Sequence, residues 1–257
     1  MISKKLSKKV IVLFAVSAVI VIIAIAVAAF LIFNRIEYND IYKKSQTVAS
    51  TWNDYISKNN DVSKLVNTDS NEYSLTVGKE RLAYENFLTA YESFCNSPIT
   101  KRGDLSDKFN DFKTQTDLTI KKIDIYFEII NPIHDFVVKS KQLSTTTAWS
   151  DVEVDDLVSP LILSGIEKLE QFGQEYSNAA KKLFASIYAY EKNGKYANYS
   201  AYLTAKSEFS TNFSDLSGLA DKFGAVDTND INNLSDVWSK LNNAIHLSDS
   251  FFGPGAR

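Results

Sequence analysis

The sequence predicts an all-α protein: an N-terminal transmembrane helix continuing as a stalk into an antiparallel helical-bundle ectodomain of four to six helices. Three observations predict it. Residues 10–33 form 24 consecutive positions without a charge, and Ser17 carries the only hydroxyl among them. At about 1.5 Å of rise per residue, such a helix crosses a hydrocarbon core about 30 Å thick. Beyond it, apolar residues recur at steps of three and four, the period of a helix with one buried face. Turn formers are scarce, with 9 Gly and 4 Pro in 257 residues, which disfavours many short strands.

Residues 1–9 form a tail that holds Lys4, Lys5, Lys8 and Lys9. Only Arg35 stands just beyond the span at 10–33. Basic residues beside a span stay on the cytoplasmic side. The expectation is a single-pass protein of the cell membrane, amino terminus cytoplasmic, carboxyl-terminal domain extracytoplasmic, with the lipid bilayer as its first partner. The rival reading is a cleaved signal peptide and a secreted helical protein, since Ala24-Ile25-Ala26 and Ala26-Val27-Ala28 fit the small-residue pattern before a cleavage site. The apolar run is longer than a usual signal core of about 7–15 residues, and it continues through Phe30–Phe33, which favours an uncleaved anchor.

Residues 34–57 contain no Gly or Pro and read as a helical stalk carrying Ile41, Val48, Trp52 and Tyr55 at helical spacing. Those four side chains either zip two copies into a parallel homodimer or pack into the chain's own bundle. Residues 58–250 form the bundle domain. Residues 58–73, rich in Asn, Asp and Ser, read as a loop with a short turn around 62–66. A helix over about 74–96 carries Tyr84, Phe87, Leu88, Tyr91, Phe94 and Cys95, and Pro98 ends it. The next begins near Asp104. Its residues Leu105, Phe109, Phe112, Thr116, Ile120, Ile123, Phe127 and Ile130 approach a heptad seam. Asn131-Pro132 predicts an interruption with a kink, after which helix resumes to about Leu143.

Ser144–Thr147 reads as a linker. Ser150-Asp151-Val152-Glu153 fits a capping box. Ser159-Pro160 fits a second helix start, because proline is tolerated at the first helical position. A long helix follows with Ile162, Ile166, Leu169, Phe172, Tyr176, Ala180, Leu183, Ile187 and Tyr190 on one stripe, closed by Asn193-Gly194. Another spans about 196–223 with Tyr199, Tyr202, Leu203, Phe209, Phe213, Leu216, Ala220 and Phe223. A last helix, capped by Asp227 or Thr228, carries Ile231, Leu234, Val237, Trp238, Leu241 and Ile245. Residues 251–257 form a C-terminal tail.

The net charge of −3 is unevenly placed. Residues 1–35 hold five basic and no acidic residues, so the remainder has 23 basic against 31 acidic, a balance of −8. Nucleic acid is excluded as a partner, because it needs a basic stripe. Cys95 is the only cysteine, so no intrachain disulfide forms, and it reads as a small buried hydrophobe. No cofactor is implied. No metal site is predicted either: His134 and His246, the only histidines, belong to no ligand motif. His134 reads as part of a polar kink after Pro132. Asp124 and Glu128 share a helix face, and Glu153, Asp155 and Asp156 cluster at a helix start, where carboxylates complement the dipole. Gly165 and Gly173 read as close helix approaches. No catalytic residue is named, and an enzyme is the less favoured class. The alternative is a hydrolase or transferase acting on envelope polymers through carboxylates that sequence does not pair.

One cluster stands out. Tyr188, Tyr190, Tyr196, Tyr199 and Tyr202 surround the Asn193-Gly194 turn. A single helix face cannot bury them all, so Tyr190 and Tyr199 are expected to extend core stripes and Tyr188 and Tyr196 to reach the surface. Tyrosine supplies rigid, amphipathic contact area. The expected function is that of a membrane-anchored binding or structural module of the cell envelope, with a protein or glycan partner at this hairpin.

Overall fold

The computed structural model describes residues 8–59, 69–141, 149–213 and 228–252. Among the described residues there are seven α-helices, one 3-10 helix and no strand. We label the α-helices α1 (Lys8–Lys58), α2 (Ser70–Cys95), α3 (Ser106–Ser140), α4 (Asp151–Ile162), α5 (Glu167–Asn193), α6 (Tyr196–Phe213) and α7 (Thr228–Phe252). The 3-10 helix, Pro98–Lys101, lies between α2 and α3. The turn expected around 62–66, the linker at 144–147, the stripe residues Leu216, Ala220 and Phe223, and the cap at Asp227 lie outside the described residues.

α1 is the one helix among the described residues long and apolar enough to cross a membrane. Every side chain from Val19 to Phe33 is exposed, as suits a segment whose solvent is lipid. At Asn34 the pattern changes. Asn34, Tyr38, Ile41, Ser45, Val48, Trp52 and Tyr55 are all buried, alternating steps of four and three as a heptad seam does. The segment 34–57 is therefore a bundle helix rather than a free stalk. The seam suggested for a parallel homodimer, Ile41, Val48, Trp52 and Tyr55, is already covered within the chain.

The chain divides into two compact units, and α1, α2, α3 and α7 contribute residues to both. The first comprises Met1–Thr51, Phe87–Lys113 and Asp236–Arg257. Its core is aromatic: Phe94 meets Phe109 and Phe112 edge-on, and Trp238 lies 5.2 Å from Phe112. These contacts, with the Tyr91 hydroxyl donating to the Lys113 carbonyl, make α2 and α3 antiparallel. Ser97 caps the 3-10 turn, its hydroxyl accepting from the Ile99 N–H. Arg102 closes the connection: its Nη1 donates to Asn34 Oδ1 at 2.7 Å, and its guanidinium lies 4.1 Å over the Tyr38 ring.

The second unit comprises Trp52–Asn86 and Thr114–Ser235. Here α2 begins at Ser70, four residues earlier than the periodicity suggests. Asp69 is the reason, since its carboxylate accepts from the Asn71 N–H at 2.8 Å as an N-cap. α3 runs unbroken through Pro132, which corrects the interruption expected at Asn131-Pro132. α4 likewise runs through Pro160, which corrects the expected second start at Ser159. Proline removes the N–H that would meet the Asp156 carbonyl. Lys139 Nζ at 2.9 Å and the Ser159 hydroxyl at 2.7 Å donate to that oxygen instead. The break falls at Leu163–Ile166, where Gly165 takes φ +73° with open space where a Cβ would lie. Gly165 is a turn and not a close approach. Gly173 is the close approach, because an added Cβ would stand 3.1 Å from both Ile162 Cγ1 and Leu161 Cβ. The capping box of Ser150 and Glu153 forms. α5 buries Leu169, Tyr176, Ala180, Leu183 and Ile187, as its stripe requires. In α6, however, Ala205 and Phe209 are buried while Leu203 is 45% exposed.

Candidate functional site

Two places in the second unit concentrate chemistry. The first is the α5–α6 hairpin tip. Gly194 adopts φ +57°, and its N–H donates to the Tyr190 carbonyl at 2.8 Å, so the chain turns sharply. The Asn198 side chain donates to the Ala189 carbonyl at 3.0 Å and ties α6 back onto α5. This brings three of the five tyrosines together. The ring of Tyr190 lies 5.2 Å from that of Tyr199 and 6.3 Å from that of Tyr202, nearly parallel to the latter.

Tyr188 and Tyr196 stand apart and are 57% and 85% exposed. Tyr190 and Tyr199 are more than a third exposed, so they extend the stripes only partway and do not enter the core. Lysines interleave with the rings: Lys192 Nζ lies 5.5 Å from the Tyr188 centroid and Lys206 Nζ 5.7 Å from that of Tyr202. An open groove of about 660 Å³ runs farther along α5 and α6, between Phe172, Glu175, Lys182, Glu208, Phe209 and Phe213.

The second place is a buried polar layer between α1, α2 and α3, which the apolar pattern did not reveal. Glu80 has no exposed surface. Its Oε2 accepts from the Tyr126 hydroxyl at 2.8 Å, while its Oε1 has no hydrogen-bond partner. The Tyr55 hydroxyl, also fully buried, has none either. Tyr84 donates to Asp124 Oδ1 at 2.7 Å, and Tyr73 to Asn131 Oδ1 at 2.6 Å. Burial pushes the Glu80 carboxyl up to about 7, against the lowering effect of the Tyr126 bond. Burial first, and negative neighbours second, push the hydroxyls of Tyr55, Tyr73, Tyr84 and Tyr126 well above the ordinary phenol range. The signal in sequence is register: Tyr73, Val77, Glu80, Tyr84, Phe87, Tyr91 and Phe94 form one heptad-spaced line, and Glu80 is its one charged member.

The remaining candidates have structural explanations. His134 is buried and stacks on Tyr73 at 3.6 Å with planes 11° apart; its Nε2 has no partner. His246 meets Tyr42 edge-on in the first unit. Cys95 is half-buried. Asp155 bonds Lys181 and Ser177, and these bonds hold its carboxyl below the usual range. Among the described residues no three His, Cys, Asp or Glu side chains converge as a metal site. Comparison with protein-family models, curated proteins and solved structures finds no match to this chain.

Proposed function

We propose that this chain is a membrane-tethered binding module of the cell envelope, anchored by α1 with its amino terminus in the cytoplasm, that grips an anionic glycan through the α5–α6 tip. The tip carries the reading. Tyr188 and Tyr196 are exposed there, and Lys192, Lys195 and Lys206 make no ion pair with an acidic side chain among the described residues. Against these three cations the tip has Glu191 alone, on a domain that is otherwise acidic. The two isolated rings, Tyr188 and Tyr196, with lysines near them suit a polymer of sugar rings and negative groups, each ring face taking one apolar sugar face. A protein hot spot favours a contiguous apolar centre depleted of charge, whereas Leu203 is the only large aliphatic side chain exposed between residues 188 and 206.

The rival enzyme reading needs a carboxyl poised in a cleft. Glu80, the described carboxyl whose proton affinity is raised, has no surface for a substrate to touch. Crosslinking in intact cells tests the proposal, with adducts sorted by protease and glycosidase digestion. Changing Tyr188 and Tyr196 to Ser should lower glycan capture by about tenfold or more, the scale of contact tyrosines each contributing about 1 kcal/mol. Helicity should stay unchanged. Adducts that are wholly protein, or capture unaffected by the pair, would refute it. Protease digestion of the carboxyl-terminal domain from outside the intact cell membrane checks the orientation.

A further inference from the structure

The Glu80 layer has no part in binding at the tip. It is built from three helices. From α1 comes Tyr55, on which the charge of Glu80 acts. From α2 come Glu80 itself, Tyr73, Tyr84 and Arg81, whose guanidinium lies 4.7 Å over the Phe127 ring. From α3 come Tyr126, Asp124, His134 and Asp135, with the Tyr73 ring stacked on His134. A buried carboxylate is costly without a full set of partners. Among the described residues Glu80 has one donor, Tyr126. Its second oxygen and the Tyr55 hydroxyl are both buried and without hydrogen bonds. A carboxylic acid suits this setting where a carboxylate does not. Oε2 accepts from Tyr126, and the acid proton gives the layer a donor and removes the charge.

We propose that Glu80 is a proton-operated catch: protonated, it holds α2 against α1 and α3, and on losing its proton it releases that layer. The sign follows from the two states. The unfolded carboxyl ionises at about 4.5 and the folded one at about 7. Between those values the closed layer keeps a proton that the open chain has given up. The stabilisation is complete below 4.5 and lost as pH rises through 7. The preference for the closed layer falls about tenfold per pH unit across that interval, about 300-fold in all.

The test uses the full chain in detergent micelles, with hydrogen exchange across Ser70–Asn86 corrected for the intrinsic pH dependence of exchange. Protection in the native protein should fall by about two orders of magnitude between pH 5 and 8. In Glu80→Gln, which keeps the shape and an acceptor for Tyr126 but cannot ionise, the profile should be flat. Tyr126→Phe removes a bond that favours the charged form, so its transition should move to higher pH. An infrared carbonyl band of a protonated carboxyl should be present in the native protein at pH 6, vanish by pH 8, and be missing from Glu80→Gln. If Glu80→Gln fails to fold, the native band and the Tyr126→Phe shift still decide. Equal pH profiles for native protein and Glu80→Gln, or no such band at pH 6, would overturn the proposal.

Discussion

Arg102 offers the most direct test of how the first unit is held. Its side chain is only 16% exposed and reaches back to α1. Nη1 donates to Asn34 at 2.7 Å and to Glu37 Oε2 at 3.2 Å, and the guanidinium plane covers Tyr38. Tyr38 in turn donates to Asp104 at 2.5 Å. Arg102→Met keeps the apolar stem and removes the head. The charge-assisted bond to Asn34 contributes about 1.5–3 kcal/mol. The Glu37 pair is partly solvated, with Glu37 32% exposed, and adds at most about 1 kcal/mol. The ring contact adds about 0.5–1 kcal/mol. Relief of guanidinium desolvation offsets part of this, so the net loss should be about 2 kcal/mol. Equilibrium unfolding of the full chain in detergent by urea, which leaves ion pairs unscreened, measures it. Arg102→Lys should recover less than half, because an ammonium cannot reach Asn34 and cover the ring at once. A loss below about 0.5 kcal/mol for Met, or full recovery by Lys, would show that Arg102 is a spectator.

Two further predictions concern helix faces and ends. Leu169→Ala, at a wholly buried position, should cost about 2–5 kcal/mol, whereas Leu203→Ala, on the exposed side of α6, should stay within about 0.5 kcal/mol; equal costs would mean the α6 face is misassigned. Gly194→Ala meets open space, so its penalty is the left-handed backbone alone. A loss of about 1–2 kcal/mol is expected, read as a lower melting temperature, and no change would show that the tip turn is not held in that conformation.

Apolar period carried most of the fold. Phe109, Phe112, Ile123, Phe127 and Ile130 in α3 and Leu169, Tyr176, Ala180, Leu183 and Ile187 in α5 are buried where their spacing puts them, while Ile120 and Phe172 are half-buried. Several of the failures share one cause, that polar atoms also occupy core positions when a partner meets them. The α1 seam includes Asn34, Tyr38 and Ser45, which an apolar count skips, so a bundle helix resembled a free stalk. Asn34 is buried because Arg102 reaches it; Ser45 is buried because its hydroxyl donates to the Tyr42 carbonyl. Pro160 looked like a helix start because nothing local announces that Lys139, 21 residues upstream, supplies a hydrogen for the Asp156 carbonyl. The tyrosine tip was legible from density around a Gly turn. Glu80 was not, because a charged residue is read as solvated unless its register with Tyr73 and Phe87 is followed.

That register explains why four of the ten buried Tyr and Phe rings of α2 and α3 are tyrosine and not phenylalanine. Within the second unit Tyr73 donates to Asn131, Tyr126 to Glu80, and Tyr84 to Asp124. The residue numbers in each pair sum to nearly the same value, as an antiparallel pair demands. In the first unit Tyr91 donates to the Lys113 carbonyl on the same register. Phenylalanine would bury nearly the same area in any of several registers. Sliding one helix by a turn would strand these hydroxyls and their acceptors, at about 1–3 kcal/mol for each buried group left unpaired. Ring burial drives the two helices together, and the phenol bonds select which of the possible alignments survives. Glu80 fits the same logic as a register partner of Tyr126.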